Sequence, residues 1–437
     1  MEEKRKTTAK KHTRTASNAY QVTKAMYARA NEAKAQGGLV AWCMLGVSTE
    51  ILEAFDIEPV YTENYAAVCA AKQTAGPLIE AAEAEGYSNL VCGYVRTGIG
   101  YCLRMQPDGR PPVGYEETSM AKPDLLLACS MVCDPRYKWY QSLQRYLDIP
   151  YFFYDVVAPP LDADREDPAV EENYVNYSLE GLRDMVAFLE KHTGKKLDRE
   201  RLRKIIETTE ATRRKRWECY EARKAVPCPM PTGDMLSCLT PGLFLASRPE
   251  ATKFFEDLYD ELQERIRDKV GVVPNEKYRL LWGGGLPPWH NMGIFTYFEE
   301  KDAVFVIETA YMPFEPYDVK VKSDDPLELM VRTAYARNTE RNRRAMLGCG
   351  DVATQNLLDL IRDYKVDGMV MHGSKSCRAT TIGQTYYQNM VAEHVKIPTL
   401  FIESDIVDTR DYAEADMKMK IDAFIETLAA AKRNNGN

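Results

Sequence analysis

Three cysteines lie at or just beyond the ends of short apolar segments. Cys92 lies within or near the end of NLVCGYV (89–95), Cys133 follows DLLLACSM (124–131), and Cys377 follows DGMVMHG (367–373). In open parallel α/β sheets, ligands bind outside the carboxyl ends of the strands, so residues at several strand ends can meet at one site. Three converging thiolates suit an iron–sulfur cluster with one iron not held by cysteine, or a zinc ion.

The cysteine spacing also allows a simpler interpretation. The chain has no CxxC pair, and Cys92, Cys133 and Cys377 are far apart in sequence, unlike the ligands of a local metal motif. Free cysteine is among the most buried residue types, so a cysteine in a strand is often an inert core residue. We assign most of the others to packing, while Cys43 and Cys129 lie near predicted strand ends and keep a second role open: Cys43, Cys69, Cys102, Cys129, Cys219, Cys228, Cys238 and Cys349.

The elements that must position these residues are short apolar strands alternating with helices. The predicted strands are 39–45, 58–62, 89–95, 124–131 and 151–156 in the first half, and 278–285, 303–310, 367–373 and 399–405 in the second. Most of these runs do not alternate between apolar and polar residues, which is typical of parallel sheets covered on both faces. Helices are predicted between them, over 65–86, 137–147, 197–224, 249–271 and 355–365.

This pattern predicts an α/β protein with two parallel-sheet lobes joined by a helical region. The boundaries are a basic disordered tail over 1–20, an N-terminal lobe over 21–165, a helical region over 166–272 and a C-terminal lobe over 273–437. The tail prediction rests on the six Lys and Arg residues of KRKTTAKKHTR (4–14).

Composition excludes several classes of protein. A formal net charge of −8 argues against a nucleic-acid binder, which needs a basic face to neutralise phosphates. No apolar segment follows the basic start and no run of about 18 apolar residues exists, so we expect neither a secretion signal nor a membrane span. We therefore expect a cytoplasmic protein, in which eleven cysteines are unpaired by disulfides.

The motifs around the cysteines resemble the benzoyl-CoA reductase / 2-hydroxyacyl-CoA dehydratase family, on its benzoyl-CoA reductase side. The resemblance covers nearly the whole chain after the basic start. It is carried by VCGYVRTGIG, PDLLLACSMVCDPRYKWY, EKYRLLWGGGLPPW (276–289), VDGMVMHGSKSCRATTIGQ (366–384) and IPTLFIESDIVDTRDY (397–412).

The resemblance implies two flavodoxin-type lobes with a [4Fe–4S] cluster in the cleft between them. Its three cysteine ligands match Cys92, Cys133 and Cys377. The family also has an acidic stretch after the second strand, which YTENY (61–65) matches. Glu63 is therefore a candidate for positioning the acyl group or transferring a proton, ahead of Asn64; alternatively it is a carboxylate that the dipole favours at a helix start.

Other polar residues near the predicted site have both a functional and a structural interpretation. His372, a candidate catalytic residue at a strand end, either donates to an acyl carbonyl or is a satisfied structural histidine, as is His290. The glycines 283–285 with Trp289 form either a substrate loop or a tight turn. Three arginines are candidates for the coenzyme A tail by proximity alone: Arg96, Arg104 and Arg136.

The function implied is the iron–sulfur core subunit of an ATP-dependent benzoyl-CoA reductase, in anaerobic aromatic degradation. Because the chain lacks GxxxxGK[ST], ATP hydrolysis is expected in a partner. The implied partners are a paralogous core subunit, ATPase or activator subunits with their own iron–sulfur cluster, reduced ferredoxin and an acyl-CoA substrate. The alternatives are a 2-hydroxyacyl-CoA dehydratase subunit, a double-cubane reductase, a non-catalytic scaffold and a zinc or core-cysteine protein.

Overall fold

The computed structural model describes residues 7–160 and 162–435, which form two four-stranded, entirely parallel sheets. The strands are β1 (Val40–Cys43), β2 (Glu58–Tyr61), β3 (Leu125–Cys129), β4 (Tyr151–Tyr154), β5 (Tyr278–Gly283), β6 (Ala303–Glu308), β7 (Gly368–Ser374) and β8 (Thr399–Ser404). The first sheet has the order β2-β1-β3-β4 and the second has the equivalent order, β6-β5-β7-β8.

Sixteen α-helices surround the sheets in the described part of the chain. They are α1 (Arg14–Ala35), α2 (Thr49–Ala54), α3 (Thr62–Ala71), α4 (Gly76–Ala84), α5 (Gly93–Arg104), α6 (Asp134–Leu147), α7 (Pro168–Thr193), α8 (Arg199–Ala222), α9 (Thr232–Met235), α10 (Pro249–Arg267), α11 (Gly293–Glu299), α12 (Pro326–Leu347), α13 (Val352–Asp363), α14 (Arg378–Thr381), α15 (Gln384–His394) and α16 (Glu414–Asn435). Short 3-10 helices cover Leu236–Cys238 and Trp289–Asn291, and a π-helix covers Thr240–Phe244.

The strand order places two ligand-binding positions at comparable points of the two sheets. In each sheet the chain runs from the second central strand to one edge and then crosses back to the other side, so the order reverses beside β1 and β3, and beside β5 and β7. Ligands of open α/β sheets bind at such reversal points, outside the carboxyl ends of the strands. All four of these strands are buried along their whole length.

The predicted fold class, two flavodoxin-like parallel lobes with helices, is confirmed. Eight of the nine predicted strands are present at the predicted segments. The segment 89–95 is wrong as a strand, because helix α5 begins at Gly93. Ten successive residues of this helix, from Gly93 to Cys102, are buried, and such an apolar run cannot be told from a buried strand by its pattern.

Two further predictions need correction. The single helix predicted over 65–86 is two helices, α3 and α4, separated at Lys72–Ala75, where Gln73 has a φ of +60°. The predicted disordered tail is wrong over 14–20, which belong to helix α1. Residues 1–6 lie outside the described residues.

The start of the chain is ordered because its donors meet carboxylates from the helical region. The backbone N–H of Thr13 donates to Asp234 at 2.8 Å, and that of Arg14 donates to Glu261 at 2.7 Å. His12 pairs with Glu299 at 2.9 Å. These partners lie more than 200 residues away in sequence, so the basic composition of the segment gave no sign of them. The boundaries between the lobes and the helical region stay predictions.

No helix in the described residues is both long enough and apolar enough to cross a membrane.

Candidate active site

The structure brings the three predicted cluster cysteines to one region between the sheets. Each directly precedes a helix: Cys92 precedes α5, Cys133 precedes α6 and Cys377 precedes α14. Burial raises the pKa of Cys92 and of Cys133, and the nearby Cys377 raises both further. The Cys377 thiol therefore lies close to both of the others, although it comes from the second lobe.

Exposure separates these three cysteines from most of the others. Cys92, Cys133 and Cys377 are half-buried, as is Cys349 in the loop between α12 and α13. The remaining seven are buried, which agrees with the packing role predicted for them: Cys43, Cys69, Cys102, Cys129, Cys219, Cys228 and Cys238. A thiol that is partly accessible at a strand end can take an external ligand, whereas a buried one is inert.

A hydrogen-bonded contact between the lobes holds Cys92 against Cys377. The backbone N–H of Gly93 donates to Ser376 Oγ at 3.2 Å, and Ser376 donates to the buried carboxylate of Asp405. A Cβ atom at Gly93 would lie 2.7 Å from Asp405 Oδ1. Glycine is therefore needed for this close approach, which fixes the distance between the two cysteine loops.

The loop that presents Cys133 contains an unusual backbone conformation. Val132 has a φ of +79°, and a positive φ is an outlier for a β-branched residue. Its side chain is 62% exposed, so core packing does not explain the conformation. Backbone strain of this kind is concentrated at functional sites, and here it turns the chain so that Cys133 precedes the first turn of α6.

A buried ion pair lies beside Cys133. Glu63 Oε1 contacts Arg136 Nε, and Glu63 Oε2 accepts a hydrogen bond from the Leu45 N–H at 3.1 Å. Burial raises the pKa of Glu63, and the Arg136 charge opposes that rise without cancelling it. Glu63 lies in the first turn of α3, as the helix-start interpretation predicted, but its carboxylate is buried and faces the cysteine region.

Tyr311 completes this group, and sequence reasoning missed it. It lies just after β6, has a φ of +57°, and shares a hydrogen bond with Tyr94. Burial raises the pKa of Tyr311, and the neighbouring Glu63 and Cys377 raise it further, so its hydroxyl lies near both. The only signal in the sequence was an aromatic residue at the end of a strand.

The surroundings of Tyr311 fix its position. Arg216 donates to the Tyr311 carbonyl at 2.6 Å, and Trp289 Nε1 donates to the hydroxyl of Tyr94. Trp289 is therefore tied to Tyr94 in the other lobe and supports the site through it.

His372 and the adjacent glycines have structural partners. The His372 ring contacts the Leu286 carbonyl and Ser404 Oγ at 2.8 Å, and burial lowers its pKa to about 4. Gly284, with a φ of +77°, forms the tight turn after β5. The geometry thus favours the structural interpretation of His372, and its catalytic role stays a prediction without geometric support.

The three arginines predicted for the coenzyme A tail are differently placed. Arg96 is buried and pairs with Glu83 and Asp408, and Arg136 is engaged with Glu63. Arg104 is exposed and donates to the Pro77 carbonyl at 3.3 Å. Neither Arg96 nor Arg136 has its charge free for a phosphate.

The cysteine group does not form a site for a single metal ion. In residues 7–160 and 162–435, no three Cys, His, Asp or Glu side chains are close enough together to hold one. In an iron–sulfur cluster each cysteine binds a different iron, so its ligands lie further apart than those of a single ion. The donor set of three half-buried thiols with no histidine fits a cluster better than zinc.

Comparison with known proteins shows the family. Residues 44–428 match the model of the 2-hydroxyglutaryl-CoA dehydratase D-component family, and the chain belongs to this family.

The relatives include both dehydratase and reductase subunits. The chain is 27% identical to the (R)-2-hydroxyisocaproyl-CoA dehydratase alpha subunit of Clostridioides difficile, over 94% of this chain and 95% of the relative. It is 26% identical to the lactoyl-CoA dehydratase alpha subunit of Anaerotignum propionicum, over 92% and 93%. It is 25% identical to a benzoyl-CoA reductase subunit of Thauera aromatica, over 88% and 87%. The predicted family is confirmed, and these identities do not separate its two activities.

Proposed function

We propose that this chain is the iron–sulfur core subunit of an enzyme that reduces the acyl group of a coenzyme A thioester, specifically an ATP-dependent benzoyl-CoA reductase. The observation that carries the proposal is the convergence of Cys92, Cys133 and Cys377 from both lobes, beside the buried pair of Glu63 and Arg136. The motifs that resemble the reductase side of the family support the choice of benzoyl-CoA.

The three thiols fit a [4Fe–4S] cluster. Cys92, Cys133 and Cys377 would hold three of its irons, which leaves one iron without a cysteine ligand. When bound, the cluster supplies electron transfer at low potential. Burial raises the pKa of the Cys92 and Cys133 thiols, so metal binding would have to displace their protons.

The other residues of the site would bind the acyl group and manage its charge. Adding an electron to a thioester places negative charge on the carbonyl oxygen, and donors aimed at that oxygen stabilise it. The hydroxyl of Tyr311, held by Tyr94 beside Cys377, is placed to donate there. Glu63, whose pKa is raised by burial, is placed to give or take a proton.

The proposed reaction consumes two electrons and two protons for each ring reduced. Benzoyl-CoA takes them up and becomes a cyclohexadiene-carbonyl-CoA. The electrons come from reduced ferredoxin, through an ATPase subunit that hydrolyses ATP and carries its own cluster. The relatives are named as single subunits, most of them as alpha subunits, which supports a paralogous core subunit as a further partner. The proposed location is the cytoplasm.

A 2-hydroxyacyl-CoA dehydratase subunit is the second candidate. Four of the five relatives found are dehydratase alpha subunits, and one of them is 27% identical to this chain. A dehydratase eliminates water from its substrate and returns the electron, so it has no net use of reductant.

The stoichiometry of ferredoxin oxidation separates these two candidates. The complex would be purified without oxygen, supplied with ATP and reduced ferredoxin, and given either benzoyl-CoA or (R)-2-hydroxyisocaproyl-CoA. A reductase oxidises ferredoxin by two electrons for each diene formed. Turnover of the hydroxyacyl-CoA with only a trace of ferredoxin oxidised would establish the dehydratase and refute the reductase.

Iron analysis tests the cluster itself. We expect about four iron and four acid-labile sulfide per chain, and loss of most of both in Cys377→Ser, because a thiolate ligand is removed. Cys349→Ser is the matched control, since Cys349 is the other half-buried cysteine and lies outside the group. About eight iron would point to the double-cubane alternative, and equal iron in the two variants would refute the proposed ligand set.

A further inference from the structure

A cavity of about 430 Å³ lies against helix α12, and none of the predicted site residues lines it. Its lining includes Arg165 from the segment after β4, Tyr317 from the segment after β6, and Thr339 from α12. This volume lies within the range of small-molecule pockets, and two of the three segments start from carboxyl ends of the sheets.

Arg165 is a buried cation without an anionic partner. It is only 7% exposed, and its guanidinium donates to the side chain of Asn338 and to the carbonyls of Pro159 and Pro160. Its Nε atom is buried with no hydrogen-bond partner, and within the described residues it pairs with no carboxylate. An uncompensated buried charge is costly, so an anion at this position would stabilise the protein.

Arg341 adds a second unpaired cation. It lies near Arg165, because burial lowers the pKa of Arg341 and the Arg165 charge lowers it further. Its Nε atom is also buried without a partner, and its guanidinium stacks on the Phe314 ring at 3.9 Å from the centroid. Two like charges are thus held together by the fold with no carboxylate between them among the residues described.

Two neutral side chains on the same helix are also unsatisfied. Thr339 Oγ1 and Asn342 Nδ2 are buried and have no hydrogen-bond partner in the described structure. Buried polar atoms are normally satisfied, so several in one place indicate a missing ligand. With the two arginines, they offer hydroxyl, amide and guanidinium donors, which is the donor set that phosphate oxygens accept.

The carboxylates that line the cavity do not compensate these two arginines. Each of the four lies beside another arginine: Glu166 and Glu340 beside Arg343, Glu171 beside Arg332, and Asp318 beside Arg214.

We infer that Arg165 and Arg341, with Thr339 and Asn342, bind a phosphate group of the coenzyme A moiety of the substrate. The inference rests on the proposed function, because the thioester is what brings phosphates to this protein. The segment from Tyr311 to Tyr317 connects the two places, and six residues span at most about 20 Å. An elongated thioester thus has its acyl end at Tyr311 and its phosphate end at α12. The ring of Phe314, 69% exposed, offers a stacking surface for the adenine base.

Calorimetric titration of the anaerobically purified complex with coenzyme A tests this site. We expect Arg341→Gln to weaken coenzyme A binding about 10-fold or more, the usual effect of losing a hydrogen bond to a charged group. Arg362→Gln on α13 removes the same charge from an exposed arginine that pairs with Asp359 and Asp363, and should bind as the wild type does.

Thr339→Val guards against a folding defect in Arg341→Gln. Valine has the shape of threonine without the unsatisfied hydroxyl, so this variant should unfold at the same temperature or higher and still bind coenzyme A more weakly. Wild-type binding by both variants would overturn the phosphate site and leave the proposed function intact.

Two further outcomes separate this inference from the function on which it rests. If the wild-type complex does not bind coenzyme A at all, the proposed function itself fails. If ATP displaces coenzyme A completely at equal concentration, the cavity is a general nucleotide site and the assignment to the substrate is wrong. Retention of coenzyme A against ATP supports the assignment.

Discussion

The buried pair of Glu63 and Arg136 sets the charge at the candidate site. A buried ion pair has a desolvation cost that is offset only while both partners are present, and removing one of them leaves the other uncompensated. Glu63 also has a backbone partner, the Leu45 N–H, which fixes the orientation of its carboxylate. The pair therefore holds a carboxylate in a defined position next to Cys133, where it can contact the acyl group.

Replacing Glu63 with glutamine tests its chemical role. Glutamine keeps the shape of the side chain but cannot give or take the proton, so we expect turnover to fall about 10²- to 10⁴-fold. The iron content should be unchanged, because Glu63 is not a proposed ligand. Turnover would be measured with saturating thioester and reduced ferredoxin.

Glu58→Gln is the matched control for this experiment. Glu58 begins the same strand that ends just before Glu63, and it also pairs with arginines, Arg29 and Arg248. It lies at the opposite end of the strand, so its loss should leave turnover nearly unchanged. Turnover of Glu63→Gln within about twofold of this control would leave Glu63 a structural role only.

The chemistry of single residues could be predicted only where the residue type and its position coincided. Cys92, Cys133 and Cys377 could be selected because thiols are rare and these three lie near the ends of apolar segments. Tyr311 and Arg341 carried no such signal, since tyrosine and arginine are common and their roles depend on neighbours from the other lobe. Unsatisfied hydrogen-bonding groups, such as those on α12, exist only in the folded structure.

At the scale of elements, helix α5 is held in place by a glycine that allows backbone contact. A Cβ atom at Gly100 would lie 1.8 Å from the Leu78 carbonyl oxygen of α4, and a backbone atom cannot move aside cheaply. This close contact lets α5 remain buried while it presents Cys92 at its first turn.

Gly100→Ala should therefore destabilise the protein. We expect the free energy of unfolding to fall by about 3 kcal/mol, at the upper end of the usual cost of overpacking. Urea denaturation followed by circular dichroism measures it. Gly76→Ala in α4 is the control, because a Cβ there meets no atom within 4 Å. Equal stability of the two variants would show that α4 and α5 are free to move apart.

The strands were predictable and α5 was not, for one physical reason. A parallel strand covered by helices on both faces is a short, continuous apolar run, and eight such runs were strands. A helix that is buried on all sides has the same kind of sequence over a few residues. The remaining information, that Gly98 and Gly100 allow α5 to approach Trp139 and Leu78, comes from packing.

At the scale of the whole molecule, a charged network joins the lobes near Cys92. Arg96 of α5 pairs with Asp408 of the second lobe at 2.9 Å, and Arg410 pairs with both Asp408 and Glu83. Burial opposes ionisation of Asp408, but its hydrogen bonds with Arg410 and Arg96 prevail and lower its pKa to about 2.

This network predicts a loss of stability in acid. A lowered pKa stabilises the folded state above the unfolded value of 3.8, and that stability disappears as the pH falls towards about 2. The difference amounts to about 2 kcal/mol. Asp408→Asn should lose this much at pH 7 and show a weaker loss of stability between about pH 4 and pH 2, as measured by urea unfolding at a series of pH values.

Asp411→Asn is the control for the acid experiment. Asp411 is half exposed and pairs with Lys375 at 3.3 Å, so its loss should change stability by less than about 0.5 kcal/mol. An Asp408→Asn variant with the same acid profile as this control would show that the network does not join the lobes energetically.

The origin of the three cysteines in both lobes also has a consequence for the maturation of the protein. Cys92 and Cys133 leave the ribosome long before Cys377, which lies 244 residues after Cys133. A cluster that needs all three ligands cannot be inserted into a nascent chain, or into a first lobe that has folded alone. Insertion must then follow synthesis of β7 and docking of the second lobe, so any cellular factor that delivers iron and sulfide would act on the nearly finished protein.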